Sequence, residues 1–178
     1  MDMSFGTRLK EARSRAVQKA AELVQKYKTR DPFAMADALG VAVRYRDDFK
    51  TLKGMYTVIA RNRFIFINAN NEEWLNRVVC AHELGHDQLH RDFAKNAPME
   101  EVALYDPSSV REYEANLFAA ELLLPDDEML AYIAKGMSGE QIAALTETDP
   151  NLVALKVKCL MAAGYTLNAQ VYENRFLK

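Results

Sequence analysis

The chain has 178 residues, of which 49% are apolar and 27% charged, a composition that excludes a disordered or fibrous protein and is typical of one globular domain. Its net charge of -2 argues against a protein that binds nucleic acid mainly by neutralising phosphates. No apolar run approaches the roughly 20 residues that cross a bilayer, and the start MDMSFGTRLKEARSRA lacks the apolar core of a signal peptide. We therefore expect a cytoplasmic protein that does not associate with a membrane.

The charges are unevenly distributed along the chain. Residues 1–30 carry eight basic and three acidic side chains, whereas residues 97–150 carry twelve acidic and two basic ones. We interpret the basic end as the solvated face of a helix. The acidic stretch favours a basic partner, since opposite charges speed and orient an encounter.

Two helices and three strands are predicted in the first third of the chain. Apolar residues at helical spacing predict a first helix that ends near KTRDP, and PFAMADALG predicts a short second helix that ends at Gly40. The segments VAVRYR, GMYTVIA and RFIFIN are rich in β-branched and aromatic residues, which predicts strands, the last two joined as a hairpin across RNR. A small antiparallel three-stranded sheet is the simplest arrangement, with GMYTVIA as an edge strand along which an extended peptide could pair.

A longer helix is predicted to follow the sheet. Asn70 or Asn71 is expected to cap it, with Glu73 placed to complete a capping box. The apolar pattern that carries the helix forward consists of Trp74, Leu75, Val78 and Val79. It leads into AHELGHDQLH, a segment that contains all three histidines of the chain.

The histidines at positions 82 and 86 form an HExxH motif with Glu83. On a helix His82 and His86 are separated by about 6 Å of rise and about 40° of rotation, so both imidazoles can bind one ion. Neutral imidazole is a good zinc ligand, and Glu83 can reach a water beside the metal, which makes this one of the more specific short motifs. We therefore predict a site for one zinc ion, with Glu83 as general base.

His90 is not expected to bind the same ion. It lies about 12 Å of rise from His82 along the helix. Zinc proteases that take a third histidine from this segment use HExxHxxGxxH, and the corresponding positions here are Leu89 and Asp92. We expect His90 to be a helix-end residue or a hydrogen-bonded structural histidine.

The third zinc ligand is expected from a second helix, DPSSVREYEANLFAAELLLP. We predict that this helix opens at Asp106 and Pro107 and closes at Pro125. Its first half carries two candidate ligands, Glu112 and Glu114.

Glu112 is the preferred ligand because its helix face carries small or polar residues that allow a close approach to the HExxH helix at Ala81 and Gly85. Those residues are Ala115, Asn116 and Ala119. Asn116 is also expected to hydrogen-bond to a zinc ligand, as metal sites usually require. Glu114 is the alternative, since Ser109 and Glu112 match a capping box, and a helix starting at Ser109 would turn Glu112 back towards its cap.

The segment AHELGH followed by EYEANLFAAELLLP resembles the ImmA/IrrE family of metallopeptidases, and so do DPFAMADALGV and SGEQIAALTETDPNLVALKVKCLMAAGY. The resemblance covers roughly residues 30–165. It implies an α+β fold with a minimal zincin-like domain, which we place with the N-terminal helices at residues 1–125, and a helical C-terminal part at residues 126–178 packed on the same unit. It further implies zinc bound by two histidines and a glutamate, and cleavage of a helix-turn-helix repressor that controls a mobile element or a stress response.

Direct binding of nucleic acid is not expected. The segment EQIAALTETDPNLVALKVKCLM has helix-turn-helix spacing, but Glu147 and Asp149 lie at the end of its second helix that would face phosphates. The expected partner is instead a basic, DNA-binding repressor protein.

The sequence thus favours a zinc endopeptidase in which Glu83 takes a proton from water and delivers it to the leaving amine. Tyr113, Arg111 and Tyr56 are candidates for stabilising the tetrahedral oxyanion. The alternative is a non-catalytic, zinc-stabilised module that binds a repressor and displaces it from DNA. Glu83 argues against that alternative, because a structural zinc site needs no general base.

Overall fold

The structure is a computed structural model that describes residues 5–94, 98–101 and 109–167. These residues form an α+β fold with the architecture of a minimal zincin-like domain. In chain order the elements are α1 (Phe5–Tyr27), α2 (Pro32–Leu39), β1 (Ala42–Arg46), β2 (Gly54–Ile59), β3 (Asn62–Asn68), α3 (Glu73–Leu89), α4 (Arg91–Ala94), β4 (Met99–Glu101), α5 (Val110–Leu123), α6 (Asp126–Ala134), α7 (Gly139–Thr146) and α8 (Pro150–Ala162).

The two N-terminal helices end where the sequence predicts. Helix α1 ends at Tyr27, just before KTRDP. Helix α2 begins with Pro32 after Asp31, whose carboxylate accepts a hydrogen bond from the Phe33 backbone N–H at 3.0 Å, and it ends at Gly40. The capping residues Asp31, Pro32 and Gly40 therefore account for both ends of α2.

The sheet is mixed and has four strands, in the order β1-β3-β2-β4. The β2–β3 hairpin is antiparallel as predicted, with its two-residue turn at Ala60 and Arg61, where both φ angles are positive. The prediction of a wholly antiparallel three-stranded sheet was wrong, because β1 pairs in parallel with β3. The loop between β1 and β2 is held at the end of β3, where the Asn68 side-chain amide donates to the carbonyls of Phe49 and Leu52.

Strand β2 is not the edge strand that the sequence suggests. The short strand β4 pairs antiparallel with β2 at Gly54–Tyr56, so the sheet edges in the described residues belong to β1 and β4. β4 is only three residues long and shows no alternation, which leaves no periodic signal for it in the sequence. Peptide pairing along the whole of GMYTVIA is therefore excluded in this conformation.

Helix α3 follows β3, as predicted, and carries the histidines, but its predicted cap was wrong. The residue at the N-cap is Glu72, which makes no side-chain capping hydrogen bond. The two asparagines serve the preceding loop instead: the Asn70 backbone N–H donates to Asn68 Oδ1 at 2.9 Å, and Asn71 Nδ2 donates to the Lys53 carbonyl at 3.0 Å.

Helix α5 begins later than predicted. Asp106 and Pro107 lie outside the described residues, and the described helix starts at Val110 with Ser109 as its N-cap. The Ser109 hydroxyl accepts a hydrogen bond from the Glu112 backbone N–H at 3.1 Å. The later of the two starts considered from the sequence is therefore the one the chain adopts.

Helices α3 and α5 pack against each other with almost no space between their backbones. A Cβ atom added at Gly85 would lie 2.9 Å from the Ala115 Cα and 3.1 Å from the Ala115 carbonyl oxygen. This is the close approach that the small residues of the α5 face predict. It needs glycine at position 85, because any side chain there would meet the backbone of α5.

The C-terminal helices pack on this core, since α8 contacts both α5 and α7. Lys156 is buried, and its ammonium group lies 2.5 Å from Glu121 Oε2 and also pairs with Asp126. Residues 168–178 lie outside the described part, and the division of the chain at residue 125 stays a prediction. Among the described residues, no helix has the length and apolar character needed to cross a membrane.

The contact at Gly85 yields a stability prediction. Gly85→Ala should lower the free energy of unfolding by about 1–3 kcal/mol, because its methyl group meets backbone atoms that cannot move aside. Helix propensity alone would favour the substitution by about 1 kcal/mol, so the two effects have opposite signs. Urea unfolding of the two proteins measures the difference. A variant as stable as the wild type would contradict the close α3–α5 contact.

Candidate metal centre and active site

Helices α3 and α5 bring three potential metal-ligating atoms together. His82 Nε2 and His86 Nε2 are 3.1 Å apart, and Glu112 Oε2 lies 3.2 Å from the first and 3.4 Å from the second. Both imidazoles are buried, whereas the Glu112 side chain is 22% exposed. In the described part of the chain, these three residues are the group that could hold a metal ion.

The spacing of these atoms fits a tetrahedral zinc ion. Bonds of about 2.0–2.1 Å at tetrahedral angles place neighbouring nitrogen and oxygen ligands about 3.3 Å apart. The three observed separations lie within a few tenths of an ångström of that value. Two histidines and one glutamate are also a ligand set found in zinc hydrolases, which keep the fourth position for water or substrate.

The hydrogen bonds behind the imidazoles set their tautomers. His82 Nδ1 lies 2.9 Å from Asn116 Oδ1, an atom that only accepts, so His82 carries its proton on Nδ1. His86 Nδ1 lies 3.0 Å from His90 Nδ1. With both Nδ1 atoms protonated, two nitrogen lone pairs and the Glu112 carboxylate face one point, and a cation relieves their repulsion.

Burial keeps the His86 imidazole neutral near pH 7, because desolvation lowers its pKa to about 4 against the opposing effect of Glu112. Burial also acts to raise the pKa of Glu112. The neighbouring imidazoles of His82 and His86 outweigh that effect and hold the pKa of Glu112 well below its ordinary value. The group therefore presents a neutral imidazole and a carboxylate, the protonation states that a zinc ion requires.

Glu83 is buried one residue beyond the first histidine, and Gly54 of β2 lies against it. A Cβ added at Gly54 would lie 2.3 Å from Val79 Cγ1 and 3.0 Å from Glu83 Oε1. Any larger residue would press on the carboxylate or displace it. Gly54 is not among the site residues predicted from the sequence, although a glycine in a strand is a known sign of close backbone approach.

Glu114 lies away from the three converging atoms. Its carboxylate accepts hydrogen bonds from Arg15 at 2.6 and 2.9 Å and faces His90 Nε2 at 2.9 Å. Although burial acts to raise the pKa of Glu114, its hydrogen bonds with His90 and Arg15 lower it. The helix does start at Ser109, but Glu112 uses only its backbone N–H at the cap and turns its carboxylate towards the histidines.

Asp87, which follows the second histidine directly, is a further site residue that was not predicted from the sequence. Its buried carboxylate accepts hydrogen bonds from the Tyr56 hydroxyl at 2.8 Å and from Arg63 Nη1 at 2.9 and 3.1 Å. Arg91 adds a contact at 3.3 Å. These bonds fasten α3 to the sheet and so set the direction in which the histidines point. A lone aspartate after HExxH gives no hint of such distant partners.

Two of the three candidates for stabilising an oxyanion have other contacts. Tyr56 is buried with its hydroxyl on Asp87, and burial raises its pKa. The Arg111 guanidinium lies 4.4 Å from the centroid of the Phe93 ring. Tyr113 is half-buried beside the core. The assignment of an oxyanion-stabilising residue stays a prediction.

The α+β fold and the paired helices with HExxH are consistent with a minimal zincin-like domain. Residues 36–158 match the model of the peptidase M78 family, described as the IrrE N-terminal-like domain. The chain is also 37% identical over 135 residues to the "Uncharacterized immunity region protein 2" of Bacillus phage phi105, an alignment that covers 75% of this chain and 84% of the phage protein.

The chain therefore belongs to the peptidase M78 family, the ImmA/IrrE family that its motifs resemble. This membership makes peptide-bond hydrolysis the class of activity to expect of the site.

Proposed function

We propose that the protein is a zinc-dependent endopeptidase that cleaves a helix-turn-helix transcriptional repressor and so relieves repression of a mobile element or a stress response. The observation that supports the activity most strongly is the convergence of His82, His86 and Glu112 at tetrahedral spacing, with a buried glutamate, Glu83, directly after the first histidine. The match to a peptidase family over residues 36–158 supports the same conclusion.

Each residue has a distinct role in the proposed reaction. His82, His86 and Glu112 would hold one zinc ion, which would supply Lewis acidity for the substrate carbonyl and would lower the pKa of a water towards about 7. Glu83 accepts the proton of the attacking water on its carboxylate and transfers it to the nitrogen of the leaving amine. Asn116 holds the His82 ring in the tautomer whose Nε2 is free to ligate.

Glu83→Gln should abolish cleavage and keep zinc and fold, because the amide cannot accept the proton while all three proposed ligands remain. The test is to co-express each variant with the repressor encoded beside it and to look for a discrete repressor fragment. Glu73→Gln is the matched control, an exposed glutamate at the start of the same helix. Cleavage by Glu83→Gln at a rate near wild type would contradict the mechanism. Release of the repressor from DNA without any fragment would instead support a non-catalytic, displacing module.

The ligand assignment makes a second prediction. Glu112→Gln should lose most bound zinc on dialysis, because the amide offers no negative charge to the metal. Glu114→Gln should still be isolated with close to one zinc ion per chain, since Glu114 does not face that point and the amide oxygen can still accept a hydrogen bond from His90 Nε2. Metal analysis by mass spectrometry measures both. Loss of zinc confined to the Glu114 variant would overturn the assignment of Glu112.

The proposed partner is a basic, DNA-binding protein. The phage relative is named for an immunity region, which supports a role in the control of repression. Three acids of the 97–150 stretch face inward, where Glu112 meets the histidines, Glu114 meets Arg15, and Glu121 meets Lys156. Among the described side chains of this stretch, the exposed acids lie on α6, α7 and the turn after α7. They are Asp127, Glu128, Glu140 and Glu147, together with Asp126, which also pairs with Lys156.

The helix α8 gives no support to direct binding of DNA. Residues 152–157, the first turns of the helix that would enter a groove, are buried. A recognition helix must expose those turns to the edges of the bases. We therefore propose that α7 and α8 serve the fold and the binding of the protein partner.

Cleavage of a basic partner should slow as salt rises, because screening weakens attraction between exposed charges on the scale of the Debye length, about 10 Å at 0.1 M. Cleavage rates at low repressor concentration, measured from about 50 to 500 mM NaCl, give the dependence. Neutralising the exposed α6 acids with Asp127→Asn and Glu128→Gln should make the cleavage rate less dependent on salt concentration. Rates that are insensitive to salt in the wild type would count against electrostatic attraction of the partner.

A further inference from the structure

We infer that His90, held by Glu114 and Arg15, is a positioning residue that keeps the His86 imidazole in its zinc-binding tautomer. This inference rests on the proposed function, in that it takes His86 as a zinc ligand. It adds a chain of hydrogen bonds that runs from the metal site to the N-terminal helix α1.

The contacts form a continuous series. His86 Nδ1 lies 3.0 Å from His90 Nδ1, and His90 Nε2 lies 2.9 Å from Glu114 Oε2. Glu114 in turn accepts two hydrogen bonds from the Arg15 guanidinium. The two histidines and the carboxylate are nearly excluded from solvent, with 2–3% of each side chain exposed, so water does not compete for these bonds.

The groups at the two ends of the series determine which atom donates and which accepts in each hydrogen bond. Arg15 only donates, so the Glu114 carboxylate is an acceptor throughout, and His90 Nε2 must carry a proton to face it. A ligating His86 uses the lone pair of Nε2 and carries its proton on Nδ1, so the His90 Nδ1 that faces it at 3.0 Å must accept. A neutral imidazole protonated on Nε2 has a lone pair on Nδ1, and that lone pair accepts the proton on His86 Nδ1.

The hydrogen bond at His86 Nδ1 determines whether His86 Nε2 has a lone pair for the metal. An imidazole that donates from Nδ1 keeps the lone pair of Nε2, and Nε2 is the atom that points at His82 and Glu112. Without an acceptor at His90, the His86 proton is free to move to Nε2, where it would block the metal. The bonds behind a ligating histidine are typically worth 10–100-fold in metal affinity.

The position of His90 makes this arrangement possible. It is the C-cap of α3, one helical turn beyond His86, so its ring lies on the same side of the helix while its backbone has left the helical conformation. Glu114 comes from α5 and Arg15 from α1, so three helices must be in place before the His86 tautomer is set.

The test compares two substitutions of His90. His90→Phe keeps a planar ring and removes the acceptor, whereas His90→Asn keeps an acceptor oxygen close to the position of Nδ1. We expect His90→Phe to lower zinc affinity by about 10–100-fold, and the zinc affinity of His90→Asn to stay much closer to that of the wild type. Competition with a chelating dye measures both affinities. Thermal unfolding of the metal-free proteins shows whether each variant is folded.

A spectroscopic readout on the metal-free protein does not depend on zinc or on activity. The chain has only three histidines, so a long-range proton–nitrogen correlation spectrum of protein labelled with ¹⁵N-histidine contains three ring systems. We expect a proton on Nδ1 for His82 and His86 and on Nε2 for His90, and a shift of His86 towards the Nε2 form in His90→Phe.

The outcomes separate this inference from the proposed function. A wild-type protein that binds no zinc would overturn the proposed function, and the metal-free spectrum would still test the tautomers. Zinc binding by His90→Phe as tight as by the wild type would overturn the role of His90 and leave the ligand set in place. If His90→Phe does not fold, the wild-type spectrum decides, since a proton on His86 Nε2 contradicts the inference.

Discussion

The site depends on the contact between Gly85 and Ala115, where the backbones of α3 and α5 almost touch. Each helix supplies part of the candidate ligand set, and neither can place three ligating atoms within 3.4 Å of one another alone. A wider helix separation would leave the imidazoles on one helix and the carboxylate on the other with a gap too long for bonds of about 2 Å. Small residues at the interface are therefore part of the metal chemistry as well as of the packing.

Polar contacts on the other sides of α3 complete the positioning. Asp87 ties the helix to the sheet through Tyr56 and Arg63, while Asn116 and His90 stand behind the two imidazoles. These groups are buried and hydrogen-bonded, as buried polar side chains must be to avoid a large desolvation cost. Two short peptide segments, 82–90 and 112–116, thus contain both the candidate ligands and three of the residues that hold them.

The parts of the structure that the sequence predicts are those set by local geometry. The helical period alone brings His82 and His86 to one side of α3, and the small face of α5 favours Glu112 over Glu114. The order of the strands, the short strand β4 and the partners of Asp87 depend on contacts between distant segments, for which one sequence carries no signal. The predicted cap of α3 failed for a related reason. Asn70 and Asn71 are good capping residues by type, but they hydrogen-bond within the preceding loop instead, Asn70 to Asn68 and Asn71 to the Lys53 carbonyl.

The buried Lys156 limits how this fold can be recombined. Its ammonium group pairs with Glu121, near the end of the helix that carries Glu112, and with Asp126, which follows that helix. A chain that exchanged its last helices for unrelated ones would leave Glu121 with a partly buried charge and no cation, which is costly in a protein interior. The C-terminal helices are therefore not freely interchangeable parts, and a functional chimera must bring its own positive charge to the position that Lys156 occupies.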